Sequence, residues 1–358
     1  MDEAQLNEVI NAFFGPDQVW SSYKIDNGHI HQTWHVEVHS LHRGFAIQQF
    51  NESVFTQPEL VMGNILEVVA WLAVRDYPMR LPVPRTLPDG HTLFRDSAQQ
   101  LWRAFPWFAH DYTTTTLTDP DEAFAGAQAF GRLLRTLDGL PSTRLQAVLP
   151  HFHDLSHRIS QLAKAITEAD EQRLQLAKPW LERVKPYFDL ANQLAKTHLP
   201  LRICHNDAKP ANLLWDRHGR VVAVIDFDTI MPNPVWCDFG DMVRSFVSPV
   251  AEDETDFELV GVEIEIFQAL TAGFFEATGG WLTLPEIQSL ADGALGIVLE
   301  QAVRFLTDFL EADRYYPIEY ETHNLMRAAN QITLLEALSD RRQDLLRIIR
   351  RSAAHTLL

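Results

Sequence analysis

Two short stretches carry the residue types that phosphoryl transfer requires: His205-Asn206-Asp207-Ala208-Lys209-Pro210-Ala211-Asn212 and Ile225-Asp226-Phe227-Asp228. That chemistry asks little covalent work of a protein, since its catalysis is mostly positioning and charge neutralisation. One carboxylate must accept the proton of an incoming hydroxyl, which is the expected task of Asp207. An amide oxygen and a further carboxylate must hold a divalent cation between the β- and γ-phosphates. Asn212 and Asp226, with Asp228 beside them, are the expected metal ligands. Lys209 stands two residues after the base and can reach the moving phosphoryl group as a point charge.

The flanking residues suit that use. Leu201-Arg202-Ile203-Cys204 leads in, Asp216-Arg217-His218-Gly219-Arg220 makes a turn, and Val221-Val222-Ala223-Val224-Ile225 predicts a buried strand delivering Asp226 at its end. An ordinary hairpin explains one Asn or Asp in its loop. It does not explain H-x-D-x-x-x-x-N followed by a strand that also ends in an acid, the register of a kinase catalytic loop and its metal-binding aspartate.

At 358 residues the chain can form two lobes, each with a core. Its 46% apolar and 22% charged content is that of a soluble globular protein. No run is long and apolar enough for a membrane span, and Met1-Asp2-Glu3-Ala4-Gln5 lacks the pattern of a signal peptide. The cysteines, Cys204 and Cys237, cannot build a disulfide framework, so a reducing cytoplasm is expected. A formal charge of −18 argues against a nucleic-acid partner. The sequence leaves monomer and homodimer open.

The expected fold class is α+β, a protein-kinase-like two-lobed fold with a small β-rich N-lobe (1–105, ATP-binding) and a larger, mainly helical C-lobe (106–358) carrying the catalytic loop. In the N-lobe, strands are predicted at Tyr23 to Ile25, Ile30 to Val38, Phe45 to Phe50, Thr92 to Phe94 and Gln100 to Phe105, with a single helix opening at Pro58. Beyond Pro106, helices are predicted from Asp119 and over 155–195, 236–247, 256–277, 284–311, 323–337 and 339–352.

ATP would then use the turn at Gly28, His29 and Ile30 to cover its phosphates, and the hinge near Arg103 to Trp107, including Ala104 and Phe105, to meet its adenine. Gln48 is the irregularity, because kinases generally carry a lysine on the matching strand, paired to a helix glutamate. Glu67 is the expected partner here. A neutral amide can hydrogen-bond a phosphate but brings no charge, so another cation or Mg2+ must supply it. His29, His31, His35 and His39 alternate along one strand, and His151, His153 and His157 cluster later. No cysteine joins either group, and both are expected to be solvated polar residues. Asp238 and Asp241 are expected to open a helix, one of them holding the catalytic-loop backbone.

Together these motifs resemble the aminoglycoside phosphotransferase and choline kinase superfamily, and within it the N-acetylhexosamine 1-kinases. The likeness runs along nearly the whole chain. It includes Gly28-His29-Ile30 with Thr33, Ile47-Gln48-Gln49-Phe50-Asn51, His151-Phe152-His153-Asp154, Asp228-Thr229-Ile230-Met231-Pro232, Asp238-Phe239-Gly240-Asp241, Arg304 to Asp308 with Tyr315, and His323-Asn324-Leu325. The resemblance implies transfer of the γ-phosphate of ATP to the anomeric hydroxyl of N-acetylglucosamine or N-acetylgalactosamine, with Mg2+. It implies that Arg304 and Tyr315 contact the sugar beside Asp207, and that glutamine at 48 is compatible with activity. Departures are Asn233-Pro234 after Met231-Pro232, where the family usually has glycine, and Trp236, where a smaller residue is expected. Both lie near the acceptor side.

Two other readings compete. One keeps the chemistry and takes an aminoglycoside, choline or homoserine as acceptor, which for a cationic substrate requires unpaired carboxylates around Asp228, Asp238 and Asp308. The other is a nucleotide-binding pseudokinase, motivated by Gln48 and opposed by the intact base and metal ligands.

Overall fold

Alternation along the first strands decides which face of the N-terminal sheet is covered. In a computed structural model describing residues 3–25 and 30–355, Trp34, Val36, Val38, Phe45, Ile47, Trp102 and Ala104 turn to one side. There they meet Leu6, Val9, Ile10 and Phe13 of helix α1 (Glu3–Phe14). The strands are β1 (Trp20–Ile25), β2 (Gln32–Val38), β3 (Arg43–Gln49), β4 (Phe94–Arg95) and β5 (Leu101–Pro106), with α2 (Pro58–Ala73) between β3 and β4. They form an antiparallel sheet in the order β1-β2-β3-β5-β4. Helix α1 was not foreseen. Its apolar spacing lies within an acidic start that reads as solvent-facing, and it takes the place of a second layer over the sheet.

The opposite face carries Thr33, Gln48 and Arg103, which stand in register across β2, β3 and β5. His35 shares this face, half-buried between Tyr23 and Trp107. This corrects the solvated reading of the strand histidines. Of these histidines, among the described residues only His39 is exposed, and His31 is buried just before β2.

The remaining chain is mostly helical: α3 (Pro120–Thr136), α4 (Leu155–Glu168), α5 (Glu171–Val184), α6 (Asp189–Ala195), α7 (Trp236–Phe246), α8 (Ile264–Thr278), α9 (Leu284–Leu310), α10 (His323–Asp340) and α11 (Arg342–His355). Four short strands precede α7, with β6 (Arg202–Cys204) paired to β9 (Met231–Asn233) and β7 (Leu213–Trp215) to β8 (Val221–Val224). The stretch 155–195 is broken where Asp170 caps α5 and again at Lys185–Tyr187, and α8 starts eight residues later than expected. Helices α3 and α8 approach closely, because a Cβ at Gly273 would stand 2.1 Å from the Phe124 carbonyl oxygen. Gly293 of α9 likewise makes room for Trp236, the bulky departure noted above, since a Cβ there would fall 2.3 Å from the Trp236 Cβ. No helix among the described residues is long and apolar enough to cross a membrane.

Candidate active site

The segment between β6 and β7 is shaped by its own side chains. Asn206 adopts a left-handed backbone (φ 64°), which asparagine tolerates better than most residues. Its Nδ2 donates to the carbonyls of Cys204, Thr229 and Met231 at 3.0, 2.9 and 3.1 Å. Its Oδ1 accepts from Asn233 Nδ2 at 2.7 Å. The departure at Asn233 therefore braces the loop. Asp238, at the start of α7, accepts from the backbone N–H of His205 (2.9 Å) and Asn206 (2.7 Å), the supporting role expected for one of the two acids. Burial pushes its carboxyl upward, opposed by His205 and these two donors. Asp238→Ala should cost about 1–3 kcal/mol for each buried donor left without an acceptor. An unchanged thermal midpoint would deny it that role.

Asp207 and Lys209 are half-buried and joined by a 2.8 Å ion pair. Asn212 Nδ2 donates to Asp207 Oδ2 at 2.9 Å and to its carbonyl at 2.8 Å. Enclosure opposes ionisation of Asp207, but Lys209 and Asn212 outweigh it and hold the carboxyl below its usual range. Asp226 follows β8 with φ 65°, its side chain open to solvent and without a hydrogen-bond or ion-pair partner among the described residues. Desolvation by the cleft walls and the charges of Asp228 and Asp207 raise it.

Asp228 does not join that pair as a free ligand. Arg103 Nη1 and Nη2 donate to its two oxygens at 2.6 and 2.8 Å, and His31 Nε2 lies 2.6 Å from Oδ2. All three side chains are buried. With both oxygens engaged, Asp228 leaves the expected metal set. Asn212 and Asp226 remain, and both fit a hard cation: the Asn212 amide oxygen makes no protein hydrogen bond among the described residues, and Asp226 is a bare carboxylate. Among the described residues, no three His, Cys, Asp or Glu side chains converge as a metal centre, so further oxygens would come from nucleotide and water.

Around the expected nucleotide site, Gln48 Oε1 accepts from Arg103 Nε at 2.9 Å and its Nε2 donates to Thr33 Oγ1 at 3.1 Å. Glu67 is not its recorded partner and pairs instead with Arg144. Ala104 is buried in mid-strand with its carbonyl accepting from Arg85 N at 2.8 Å, which removes that carbonyl from a hinge. Phe105 stays on the Arg103 side, its ring 5.0 Å from that guanidinium. Ile30 is exposed, and its carbonyl accepts from Asn51 Nδ2. Gly28 and His29 lie outside the described residues.

Beside Asp207 is a small pocket that opens to solvent. Phe152 and His153, Asp241 and Arg244 of α7, and Glu300 and Arg304 of α9 contribute walls. Arg304 therefore lines the same cavity as Asp207. Tyr315 is exposed at the margin, its ring 5.8 Å from the Arg304 guanidinium. His153 was misjudged as solvated: its imidazole bridges Glu300 (3.1 Å) and the Asn206 carbonyl (3.0 Å). Burial works against its protonated form, but Glu300 and the carbonyl prevail and raise its pKa. Arg103, His31, His153 and Glu300 were all missed as site residues. The readable signal for Arg103 was a charge facing inward in Leu101-Trp102-Arg103-Ala104, at the position paired with Gln48.

A model of the APH phosphotransferase enzyme family matches residues 24–261. Among solved structures of similar fold, a spectinomycin phosphotransferase in complex with ADP and spectinomycin is 14% identical, covering 96% of this chain and 99% of its own, with a TM-score of 0.66. A microcompartment-associated aminopropanol kinase is 16% identical over 97% of this chain and 100% of its own, TM-score 0.60. The choline kinase of Cryptosporidium parvum Iowa II is 12% identical over 96% and 97%, TM-score 0.59.

Proposed function

We propose, from the premise that this chain belongs to the APH phosphotransferase enzyme family, that it transfers the γ-phosphate of ATP to the C1 hydroxyl of an N-acetylhexosamine. Phosphotransfer to a small-molecule hydroxyl is the common ground of that family. The acceptor is the finer step, and the observation carrying it is the polarity of the pocket beside Asp207. A cationic acceptor would require unpaired carboxylates at Asp228, Asp238 and Asp308. Asp228 is bound by Arg103 and His31, and Asp238 by two backbone donors. Asp308 accepts from the backbone of Tyr315 and Tyr316 and from Asn324. The pocket sets its own carboxylates against cations, Asp241 against Arg244 at 2.8 Å and Glu300 against His153 at 3.1 Å, and adds the Arg304 guanidinium, whose one hydrogen bond among the described residues is to Gln301 at 3.1 Å. Such a wall suits hydroxyls and an acyl oxygen rather than an ammonium group.

In this reading residues 1–105 hold the nucleotide and 106–358 hold the acceptor. Asp207 takes the proton of the attacking hydroxyl, and an anomeric hydroxyl, more acidic than an ordinary alcohol, suits a base held low. Lys209 stabilises charge at the moving phosphoryl group. Gln48, held between Arg103 and Thr33, brings a neutral amide to the nucleotide lobe where a lysine would bring charge. Mg2+, held by Asn212 and Asp226, would offset the charge of the β- and γ-phosphates.

The test is a transfer screen with ATP and Mg2+ over N-acetylhexosamines, hexoses, choline, homoserine and aminoglycosides, with NMR locating the phosphate. Transfer confined to choline or aminoglycosides would refute the sugar reading. Arg304→Ala should raise the KM for the acceptor well above any change in the KM for ATP, as expected for lost ground-state binding. The reverse ranking would remove Arg304 from the acceptor site.

A further inference from the structure

Asp228 and Asp226 belong to one rigid piece of backbone. Residues Phe227–Thr229 form a short 3-10 turn that Asp226 precedes with its left-handed φ of 65°. Whatever fixes Asp228 therefore fixes the direction in which Asp226 points. What fixes it comes from the other lobe. Arg103 of β5 is about 1% exposed and makes a two-bond fork with the Asp228 carboxylate, a geometry guanidinium matches and ammonium does not. His31, before β2, adds a third contact through Nε2, while its Nδ1 accepts from the Asn51 backbone N–H at 3.0 Å. That second bond assigns the tautomer: Nε2 carries the hydrogen and donates to Asp228. The remaining guanidinium nitrogen of Arg103, Nε, donates to Gln48 Oε1.

A lysine on β3 would ordinarily bring charge to the phosphates while paired to a glutamate of the following helix. Here Glu67 of that helix is engaged with Arg144, and the buried cation on the neighbouring strand is spent on the turn beside Asp226. We propose that Arg103, Asp228 and His31 are positioning residues that orient the cation-binding carboxylate of Asp226 from the nucleotide lobe. The same guanidinium also fixes Gln48, whose amide is held between Arg103 and Thr33. One buried group thus performs the ordering task that the lysine and glutamate divide between them elsewhere. The inference rests on the phosphotransferase reading above, specifically on cation binding at Asp226.

The experiment is calorimetric binding of a non-hydrolysable ATP analogue to the full chain, with and without Mg2+, alongside the KM of the acceptor. If the wild-type protein shows no gain in affinity on adding Mg2+, the functional reading fails before this one is tested. If it does, Asp228→Asn should reduce that gain roughly 10–100-fold, the usual effect of losing a partner that orients a metal ligand. Metal-free affinity and acceptor KM should stay near wild type. Should Asp228→Asn not fold, Arg103→Lys, which keeps the buried charge but loses the fork and the bond to Gln48, takes its place, and its Mg2+-dependent gain should fall further than its metal-free affinity. A full wild-type gain in either folded variant overturns the proposal, as does equal loss with and without Mg2+. Gln48→Lys is the complementary case. Restoring a β3 cation should weaken Mg2+-dependent nucleotide binding, because it removes the acceptor for Arg103 Nε and sets two cations together. Tighter binding would also overturn it.

Discussion

Asp207→Asn should lower turnover by about 10²–10⁴, the usual worth of a positioned general base, while nucleotide affinity measured by calorimetry stays close to wild type. The amide preserves shape and can still accept from Asn212 Nδ2, now 2.9 Å from Asp207 Oδ2, but it cannot take a proton from the attacking hydroxyl. Undiminished turnover would take Asp207 out of the chemistry. The same side chain sets a pH dependence. Burial would raise its pKa, yet Lys209, 2.8 Å away, and Asn212 together depress it. The acid limb of kcat/KM, which reports the free enzyme, should therefore lie below the ordinary carboxylate range. Lys209→Met removes the depressing charge, so the limb should move to higher pH. A limb that stays in place would show that the ammonium does not act on this carboxylate.

Asp226→Ala should abolish most of the Mg2+-dependent gain in nucleotide affinity and with it nearly all turnover, leaving metal-free nucleotide binding in place. Asp226 is the one carboxylate of the catalytic region left without a partner among the described residues: Asp207 is paired with Lys209, Asp228 with Arg103, and Asp238 with backbone donors. Its pKa is raised by desolvation along the cleft walls and by the neighbouring carboxylates of Asp228 and Asp207, the condition a bound cation would relieve. Calorimetric titrations of an ATP analogue at several Mg2+ concentrations would check this. A variant that binds Mg2+ and nucleotide as the wild type does would reassign the site.

The readability of the fold follows from how local each signal is. The β7–β8 hairpin, the helix at Pro58 and α7 lie close to where periodicity and turn residues set them, because their cues sit within a few residues of the elements themselves. Helix α1 escaped because its apolar positions are few and flanked by acids, and only the uncovered face of the sheet makes it necessary. The histidines were misjudged for a related reason. A strand pattern shows that His31 and His35 lie on one side, but not that Asp228 meets the first or that Tyr23 and Trp107 flank the second. His153 resembles any polar residue ahead of a helix until Glu300, 147 residues later, is brought against it.

The two-lobed α+β architecture and the phosphotransferase family were legible in the chain, because both rest on residue types held at short, covalently set spacings. The tertiary structure alone decided which of those groups remain free to react. Arg103 meets Asp228 across 125 residues and engages both of its oxygens. Glu67 turns to Arg144 instead of Gln48, and Arg304 enters the same cavity as Asp207. Pairing of buried charges depends on which distant segments pack together, and a carboxylate's role changes with the partner it finds there.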